Sequence, residues 1–272
     1  MDKIGIIDFR NIIKVIQEVY NIDFSDYALT SLKRRLEKVM TINCFNTVDE
    51  MLMKLKDSSD FFENFLFDIS VEDTEMFRDP SFWRELKDVI LPKTINGTEY
   101  SIWMPDLTSG EELFSLAIVL QEMEIFHNTK IIATSMSQKN LDTIKSGVLD
   151  SKKMEINIAN YKRMKSKDNM QSYFVETNGK VEIDLKLIEN VHFEKINMLT
   201  DKLPTKVKLI LYRNKLIYFN QPLQSRVLSL LHQALVPGGH FVIGIKETLD
   251  IFNTEKKFLQ VDESENIFKK LN

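Results

Sequence analysis

Glycine and proline are scarce in this chain, and both are unevenly placed. The 272 residues include 8 glycines and 6 prolines, whereas average usage at this length gives about 19 and about 14. Gly5 is the only glycine before Thr94, and the other seven lie from Gly97 onward. The only prolines before Thr94 are Pro80 and Pro92. So few turn-forming residues argue against a sandwich or barrel of many short strands, and we expect the first third of the chain to fold differently from the rest.

The first third shows helical periodicity. Apolar residues recur at spacings of three and four in several stretches, which is the pattern of amphipathic helices. Short polar turns separate these stretches, in agreement with the missing glycine and proline. We therefore predict a helical N-terminal domain. The predicted helices lie within residues 7–20, 25–40, 48–55 and 61–69.

One basic cluster interrupts this acidic part of the chain, where residues 1–90 hold 12 Lys/Arg and 18 Asp/Glu. The cluster contains Lys33, Arg34, Arg35 and Lys38. At helical spacing Arg34 and Lys38 share a face, as do Arg35 and Lys38. The cluster is either a solvated helix face or a docking patch for an acidic partner helix.

After Pro92 the chain alternates between strand-like and helix-like segments. Alternation of this kind implies an α/β fold with a mainly parallel, doubly wound sheet, and such sheets bind ligands at the carboxyl ends of their strands. In the tail, 257–261 and 267–271 flank the polar turn DESEN, which predicts a closing antiparallel hairpin. The other predicted strands are 100–104, 130–133, 207–211 and 241–245, and the predicted helices are 113–123, 141–149 and 223–235.

Composition excludes several classes of protein. The lone Cys44 cannot form an internal disulfide, and the N-terminal string MDKIGIIDFRN carries acidic residues where a signal peptide needs an apolar run. No apolar stretch approaches the ~20 residues that span a bilayer. The four histidines lack metal-ligand spacing, and a net charge of -4 gives no general attraction to nucleic acid. We expect a cytoplasmic protein without membrane insertion, metal or nucleic acid.

The loop after the first predicted strand, Pro105–Glu112, contains Gly110. A nucleotide-binding loop needs glycine where its backbone approaches the ligand and turns into a helix. The first two glycines of the GxGxxG pattern are absent, so an ordinary turn is the other interpretation.

Four strings in order resemble the chemotaxis receptor methyltransferases, the CheR family. The resemblance covers essentially the whole chain. It implies a helical N-terminal domain over 1–72, followed over 73–272 by a Rossmann-like doubly wound methyltransferase domain with a small antiparallel β insertion at 161–185. The strings are TEMFRD at Thr74–Asp79, WMPDLTSGEELFS at Trp103–Ser115, LYRNKLIYF at Leu211–Phe219 and PGGHFVIGIKE at Pro237–Glu247.

The resemblance also implies an activity. Members transfer a methyl group from S-adenosylmethionine to glutamate side chains of chemoreceptors, which are helical proteins, and release S-adenosylhomocysteine. It places Arg78 and Tyr218 beside the reacting groups. In such an enzyme, the docking patch of Arg34, Arg35 and Lys38 would be the receptor-binding surface. The implied cofactor-binding residues are Glu72, Thr74, Arg78, Gly110, Glu111, Ser135, Asn197, Met198, Asn214 and Lys215.

These residue types suit methyl transfer. An ionised glutamate can attack the methyl group directly, so the enzyme needs correct positioning and exclusion of water more than a strong base. Arg78 could hold a carboxylate through a forked, charge-assisted bond, and Tyr218 could supply an aromatic wall beside a sulfonium. The alternative is that Tyr218 and Phe219 cap an apolar strand and that Arg78 pairs with a neighbouring acid, Asp79 or Glu75.

Departures from the family pattern keep a second function open. Ser135 stands where the family has the acid that grips both ribose hydroxyls, and replacing charge-assisted bonds by a neutral one loses roughly tenfold to a few hundredfold in affinity. Glu72 replaces asparagine, Asp106 replaces a common glycine and Lys215 replaces an apolar residue. The chain is therefore either a working methyltransferase or a pseudo-methyltransferase that acts as a receptor-binding or regulatory module. A third reading, methylation of a small molecule, is disfavoured by the helical domain.

Overall fold

The computed structural model describes residues 4–70, 74–95, 100–166, 169–177, 180–249, 252 and 256–271. The chain divides into two compact units. The first unit is Met1–Val71 together with Lys215–Leu228, and the second is Glu72–Asn214 together with Ser229–Asn272.

Residues 4–70 form four helices, which confirms the helical N-terminal part. Their inward faces are apolar, and Ile12, Leu36, Met51 and Phe65 are completely buried. Tyr20 stacks on Phe62 with ring centroids 3.5 Å apart. The helices are α1 (Ile6–Tyr20), α2 (Leu29–Ile42), α3 (Val48–Asp57) and α4 (Ser59–Asp68).

The connections between these helices use residues other than glycine. Asn21 ends α1 in the left-handed conformation, with a φ of 55°, and its N–H donates to the carbonyl of Gln17. Cys44, just after α2, also has a φ of 55°. Ser58 ends α3 and begins α4, where its hydroxyl accepts from the Phe61 amide. Asparagine is the usual substitute for glycine at a helix end. This part of the chain therefore connects its helices without using glycine.

The second unit begins with a short helical segment that the periodicity did not predict. It consists of α5 (Pro80–Glu85), a π-helical turn (Leu86–Ile90) and α6 (Leu91–Thr94). Pro92 has no N–H to donate to the carbonyl four residues earlier, and its ring crowds that carbonyl. The widened turn just before Pro92 is therefore the expected response of the helix.

A seven-stranded sheet forms the centre of the second unit, in the order β6-β2-β1-β7-β8-β10-β9. β1 lies parallel to β2 and β7, β2 is parallel to β6, and β7 is parallel to β8. β10 is antiparallel to β8 and β9, so the predicted tail hairpin is confirmed. The strands of this sheet are β1 (Tyr100–Met104), β2 (Thr129–Ser135), β6 (Val191–Lys195), β7 (Val207–Leu211), β8 (Leu235–Val242), β9 (Phe258–Asp262) and β10 (Ile267–Lys270). The strands β3 (Val148–Leu149), β4 (Phe174–Thr177) and β5 (Lys180–Ile183) belong to a second, smaller sheet.

Helices cover the sheet, as a parallel arrangement requires. In α7, every residue from Leu113 to Leu120 is buried. Together with the sheet, the helices confirm the doubly wound α/β architecture with a Rossmann-like order. They are α7 (Glu111–Glu122), α8 (Gln138–Lys145), α9 (Met154–Arg163) and α10 (Gln221–Ala234).

A small antiparallel sheet is also present, in the order β3-β5-β4, which confirms the predicted β insertion. Its extent differs from the predicted 161–185. Strand β3 at Val148–Leu149 contributes to it, in a stretch that we predicted as the end of a helix, whereas Tyr161 lies in α9. Gly147, with a φ of 70°, ends the helical part earlier than the apolar pattern indicated.

Strand β8 begins earlier than the predicted 241–245. The helix before it stops at Ala234, as the Pro-Gly-Gly signal predicts, but the strand starts at once and includes that signal. Its register against β7 shifts between Val207 and Leu209, whose partners are Leu235 and His240. The intervening residues form a bulge in which Gly238 has a φ of 76°, so proline and glycine are accommodated within a strand.

Candidate functional site

The loop between β1 and α7 is shaped by two backbone requirements. A Cβ on Gly110 would lie 2.3 Å from the Phe114 ring, so no other residue fits there without displacing that ring. Asp106 has a φ of 55°, a conformation in which glycine is unstrained and aspartate is tolerated better than most residues. The Leu107 amide donates to the carbonyl of Thr134 at 2.8 Å, which ties the loop to the carboxyl end of β2.

Glu111, the first residue of α7, is only 7 % exposed. Its Oε2 accepts a hydrogen bond of 2.8 Å from the Thr74 hydroxyl, and the Ser109 hydroxyl lies 2.5 Å from the same Thr74 oxygen. Because a carboxylate can only accept, Thr74 donates to Glu111 and Ser109 donates to Thr74. The structure thus brings together two residues that the sequence assigned to one site, Thr74 and Glu111, and adds Ser109.

Lys153, which immediately precedes α9, completes this arrangement. Its Nζ donates to the Thr74 carbonyl at 3.1 Å and lies 4.0 Å from Glu111 Oε1. Lys153 was not among the predicted site residues, because a lysine in a polar stretch carries no pattern that marks it. We call Thr74, Ser109, Glu111 and Lys153 the Glu111 ring.

The segment from Thr74 to Asp79, which leads into α5 and which we call the linker, is held by buried side chains. The Met76 amide donates to Asn157 Oδ1 at 3.0 Å, and Asn160 Nδ2 donates to the Met76 carbonyl at 3.1 Å. The Phe77 amide donates to the Ser115 hydroxyl at 2.8 Å. Phe77 has a φ of 52°, a rare conformation for an aromatic residue, and these bonds fix it.

Arg213 lies at the carboxyl end of β7 with only 2 % of its side chain exposed. It donates to Asp79 at 2.6 Å and to Glu112 at 3.4 Å. Its guanidinium carbon lies 4.1 Å from the Phe82 ring centroid, and both terminal nitrogens lie 3.4 Å from the Arg78 carbonyl. Arg213 belongs to the LYRNKLIYF string but was not a predicted site residue, because a single sequence does not show that an arginine is buried.

Arg78 is half-buried, and its carbonyl also accepts from Trp83 Nε1 at 3.0 Å. The two acids weighed as its surface partners have other donors: Asp79 bonds to Arg213 and Glu75 bonds to Asn160. The backbone of Arg78 is therefore anchored at a single carbonyl by two side chains. Its role toward substrate stays a prediction.

Ser135 ends β2 and is 1 % exposed. Its hydroxyl accepts from the Ser137 amide and from Asn140 Nδ2, both at 3.3 Å. The hydroxyl therefore stabilises the turn into α8. An aspartate at this position could accept the same two donors with one oxygen and present the second oxygen to a ligand.

Three further predicted residues, Asn197, Met198 and Asn214, lie in turns that follow strands of the main sheet. The Asn197 side chain accepts from the Leu199 amide at 3.0 Å, and Met198 is 9 % exposed. Asn214 has a φ of 59° and donates its amide to Glu247 Oε2 at 2.8 Å. A Cβ on Gly244 would lie 2.5 Å from Asn214 Oδ1, so the glycine of the PGGHFVIGIKE string makes room for Asn214.

Lys215 and Tyr218 belong to the first unit. Tyr218 lies in a 3-10 turn (Leu216–Tyr218), so it does not cap a strand as the alternative held. The guanidinium of Arg35 lies 5.2 Å from the Tyr218 ring centroid, and its Nη1 donates to the Ile69 carbonyl at 3.0 Å. Of the predicted docking patch, Arg34 and Lys38 are exposed and Arg35 is half-buried.

Glu72 lies outside the described residues. Within the described ranges, no three histidine, cysteine or acidic side chains come together as a metal site requires. Along the same ranges, no helix combines the length and the apolar character of a membrane span.

Comparison with known proteins decides the family. Residues 72–266 match the CheR methyltransferase, SAM binding domain, and residues 7–70 match the CheR methyltransferase, all-alpha domain. The chain belongs to the CheR methyltransferase family. S-adenosylmethionine is therefore the cofactor of the second unit.

Relatives extend over nearly the full chain. A Pseudomonas putida protein named "Putative methyltransferase Cher3" is 30% identical over 265 residues, which are 97% of both chains. A Borreliella burgdorferi chemotaxis protein methyltransferase is 26% identical over 258 residues, covering 89% of this chain and 88% of the relative. A Listeria monocytogenes chemotaxis protein methyltransferase is 25% identical, covering 89% and 90%. Among solved structures, the N-methyltransferase NodS of Bradyrhizobium japonicum covers 79% of this chain with 12% identity and a TM-score of 0.41, a likeness too weak to support an argument.

The residues of the second unit fit the amino-acid end of this cofactor. Glu111 supplies a buried carboxylate that can accept from an ammonium group, and the glycine before it makes room for the Phe114 ring behind the loop. The fit is weaker at the ribose end, because Ser135 presents a single hydroxyl that the turn already uses. The described residues of this CheR chain therefore fit the ammonium group of the cofactor better than they fit its ribose.

Proposed function

We propose that this protein transfers the methyl group of S-adenosylmethionine to glutamate side chains of a chemoreceptor or a similar helical protein in the cytoplasm. The observation that carries the proposal is the Glu111 ring. A carboxylate that is 7 % exposed and joined to Thr74 of the linker brings the TEMFRD and WMPDLTSGEELFS strings into one site. Family relatives named chemotaxis protein methyltransferases support the choice of substrate.

The chemistry makes modest demands on the side chains. When bound, the cofactor supplies a methyl group on a positively charged sulfur, which leaves as a neutral thioether. An ionised glutamate of the substrate provides the attacking oxygen, so no group of the enzyme needs to remove a proton. What the enzyme must provide is alignment and exclusion of water. Arg78, whose carbonyl Arg213 and Trp83 anchor, is proposed to hold the substrate carboxylate.

The proposed product has a distinctive reactivity. A glutamyl methyl ester is cleaved by base and releases methanol, whereas a methylated amine does not. The test incubates the protein with methyl-labelled S-adenosylmethionine and the cytoplasmic fragment of a chemoreceptor from the same organism, then adds base. Labelled methanol is expected, and a receptor fragment with its methylated glutamates changed to alanine should give none. Label that stays on the protein after base treatment would contradict the proposal.

One observation favours a second candidate function. The hydroxyl of Ser135 is engaged within its own turn, which is what a non-catalytic relative that binds receptors without methylating them could tolerate. This pseudo-methyltransferase would bind the receptor fragment and release no labelled methanol with any fragment. Release of labelled methanol would refute this second candidate function.

A further inference from the structure

Helix α9 and the residue before it present one face to the linker. Lys153, Asn157 and Asn160 are spaced four and three residues apart, so they lie along one side of the helix. All three side chains bond to the backbone of residues 74–76: Lys153 to the Thr74 carbonyl, Asn157 to the Met76 amide and Asn160 to the Met76 carbonyl. Side chains that bond to the backbone hold the linker in place independently of its sequence.

The helix that presents this face is itself firmly held. The Tyr161 hydroxyl donates to Glu122 Oε1 at 2.5 Å, and the Ser166 hydroxyl donates to the same oxygen at 2.7 Å. Lys87 pairs with the other oxygen of Glu122, whose side chain is 2 % exposed. Burial, with the Glu122 hydrogen bond adding to it, raises the pKa of Tyr161, so this hydroxyl stays protonated and able to donate. Helix α9 is therefore itself held in place, so its side chains can fix the position of the linker.

Lys153 differs from the two asparagines because it also reaches the proposed cofactor site. Its Nζ is 3.1 Å from the Thr74 carbonyl but 4.0 Å from Glu111 Oε1. The first distance is a hydrogen bond and the second is too long for one. Lys153 thus attracts the Glu111 carboxylate without using Oε1 as an acceptor, while Thr74 bonds the other oxygen. This leaves Oε1 able to accept from an ammonium group.

The charges around Glu111 give Lys153 a second effect. The adjoining loop and helix start carry Asp106, Glu111 and Glu112, and Glu112 is paired with Arg213. Lys153 is the cation that the structure places against Glu111. A positive charge here lowers the repulsion that these carboxylates exert on the carboxylate of an amino-acid ligand.

We infer that Lys153 is a positioning residue for the amino-acid end of the cofactor: it locks Thr74 and Glu111 in the orientation that receives the ammonium group. The inference rests on the proposed function, because it uses the same site. Lys153 is not expected to affect binding of the nucleoside part of the ligand. A positioning role should therefore change the affinity for the amino-acid end alone, whereas a general structural role should change the affinity for both parts.

Two ligands distinguish these two roles of Lys153. S-adenosylhomocysteine has the complete amino-acid end, whereas methylthioadenosine has the same nucleoside and sulfur without it. Both are titrated calorimetrically into the wild type and into Lys153→Met, Lys153→Arg and Lys152→Met. Lys152 is the matched control, since it is an exposed lysine next to Lys153 in the same turn. Thermal unfolding of each variant reports whether it is folded.

The inference predicts a selective loss. Removing a charged donor from the ring should weaken binding of S-adenosylhomocysteine by about tenfold to a hundredfold, with methylthioadenosine bound as by the wild type. Lys153→Arg should restore most of the affinity, and Lys152→Met should match the wild type.

Three outcomes would overturn the inference. Equal or tighter binding of S-adenosylhomocysteine by Lys153→Met would show that Lys153 does not position the site. Equal losses for both probes would show a structural role only. A wild type that binds neither probe would end the proposed function as well, so the failure of the inference alone is recognisable by normal binding in the wild type.

Discussion

Replacing Arg213 by methionine should destabilise the second unit strongly. The substitution keeps an unbranched apolar stem but removes a guanidinium with 2 % of its side chain exposed. It leaves Asp79 and Glu112 without this donor, along with the Arg78 carbonyl. Breaking a buried ion pair by removing one partner costs about 3–5 kcal/mol, a range we take to include the attraction to the Phe82 ring.

The expected loss is measurable by heat. At roughly 2–4 °C per kcal/mol for a domain of this size, the unfolding midpoint should fall by roughly 6–20 °C in differential scanning calorimetry. Arg163→Met is the matched control, because Arg163 is exposed in the same unit, and surface substitutions stay within about 0.5 kcal/mol.

A double-mutant cycle isolates the pair. Asp79→Asn removes the carboxylate that the methionine variant leaves without its cation. The double variant should therefore lose at least about 1 kcal/mol less than the sum of the single losses, within the range measured for contacting residues. A loss below about 1 kcal/mol for Arg213→Met, or strictly additive losses, would refute the view that Arg213 anchors this end of β7.

Three further predictions concern single positions. Ser135→Asp should tighten binding of both S-adenosylhomocysteine and methylthioadenosine by roughly tenfold to a few hundredfold in calorimetry, whereas the neighbouring Ser137→Asp should not; unchanged affinity would show that residue 135 does not face the ribose. Asp106→Ala should be less stable than Asp106→Gly by about 1 kcal/mol or more in urea unfolding, because the φ of 55° penalises a Cβ without a local hydrogen bond; equal stabilities would contradict this. Burial lowers the pKa of His240 from 6.5 to about 4. When the pH lies between these two pKa values, the unfolded state binds a proton that the folded state does not bind. Stability should fall by up to about 3 kcal/mol as the pH drops through this window, and His240→Phe should remove that part of the pH dependence; an unaltered profile in the variant would argue against it.

Strongly periodic segments were predictable from the sequence. The helix predicted within 7–20 is α1 at Ile6–Tyr20, and β1 and β7 have the predicted bounds. In these elements the buried residues are apolar, so the apolar pattern of the sequence indicates the structure directly. The scarcity of glycine also predicted helices in the first unit, and there Asn21 and Ser58 cap helix ends.

Helix α9 was missed because its buried face is polar. Asn157, Asn160 and Tyr161 are its buried residues, and a hydrophobicity pattern treats asparagine as exposed. Those asparagines are buried because the backbone of the linker supplies their hydrogen-bond partners, a fact of tertiary structure. The same reasoning applies to Lys153, whose position against Glu111 depends on a contact between segments far apart in the chain.

The short motifs contain two residues that the structure brings together. Thr74 and Glu111, both assigned to the cofactor by the resemblance, share a hydrogen bond although 37 residues separate them, and their roles toward the cofactor stay a prediction. Arg213 was in view within its string, but its burial and its bonds to Asp79 and to the Arg78 carbonyl arise from packing that a string of letters does not contain. The roles of Arg78 and Tyr218 in catalysis remain predictions.

Calorimetric titration of S-adenosylhomocysteine into the wild type and into Glu111→Gln shows whether Glu111 binds the cofactor. The wild type should bind one ligand per chain, with saturation. Loss of the carboxylate should weaken that binding by about tenfold or more, since an ion pair with the ammonium group of the ligand becomes a hydrogen bond from that ammonium group to an uncharged amide. Absence of heat at millimolar ligand, or equal affinity in the two proteins, would contradict the claim that the Glu111 ring is the cofactor site of this methyltransferase.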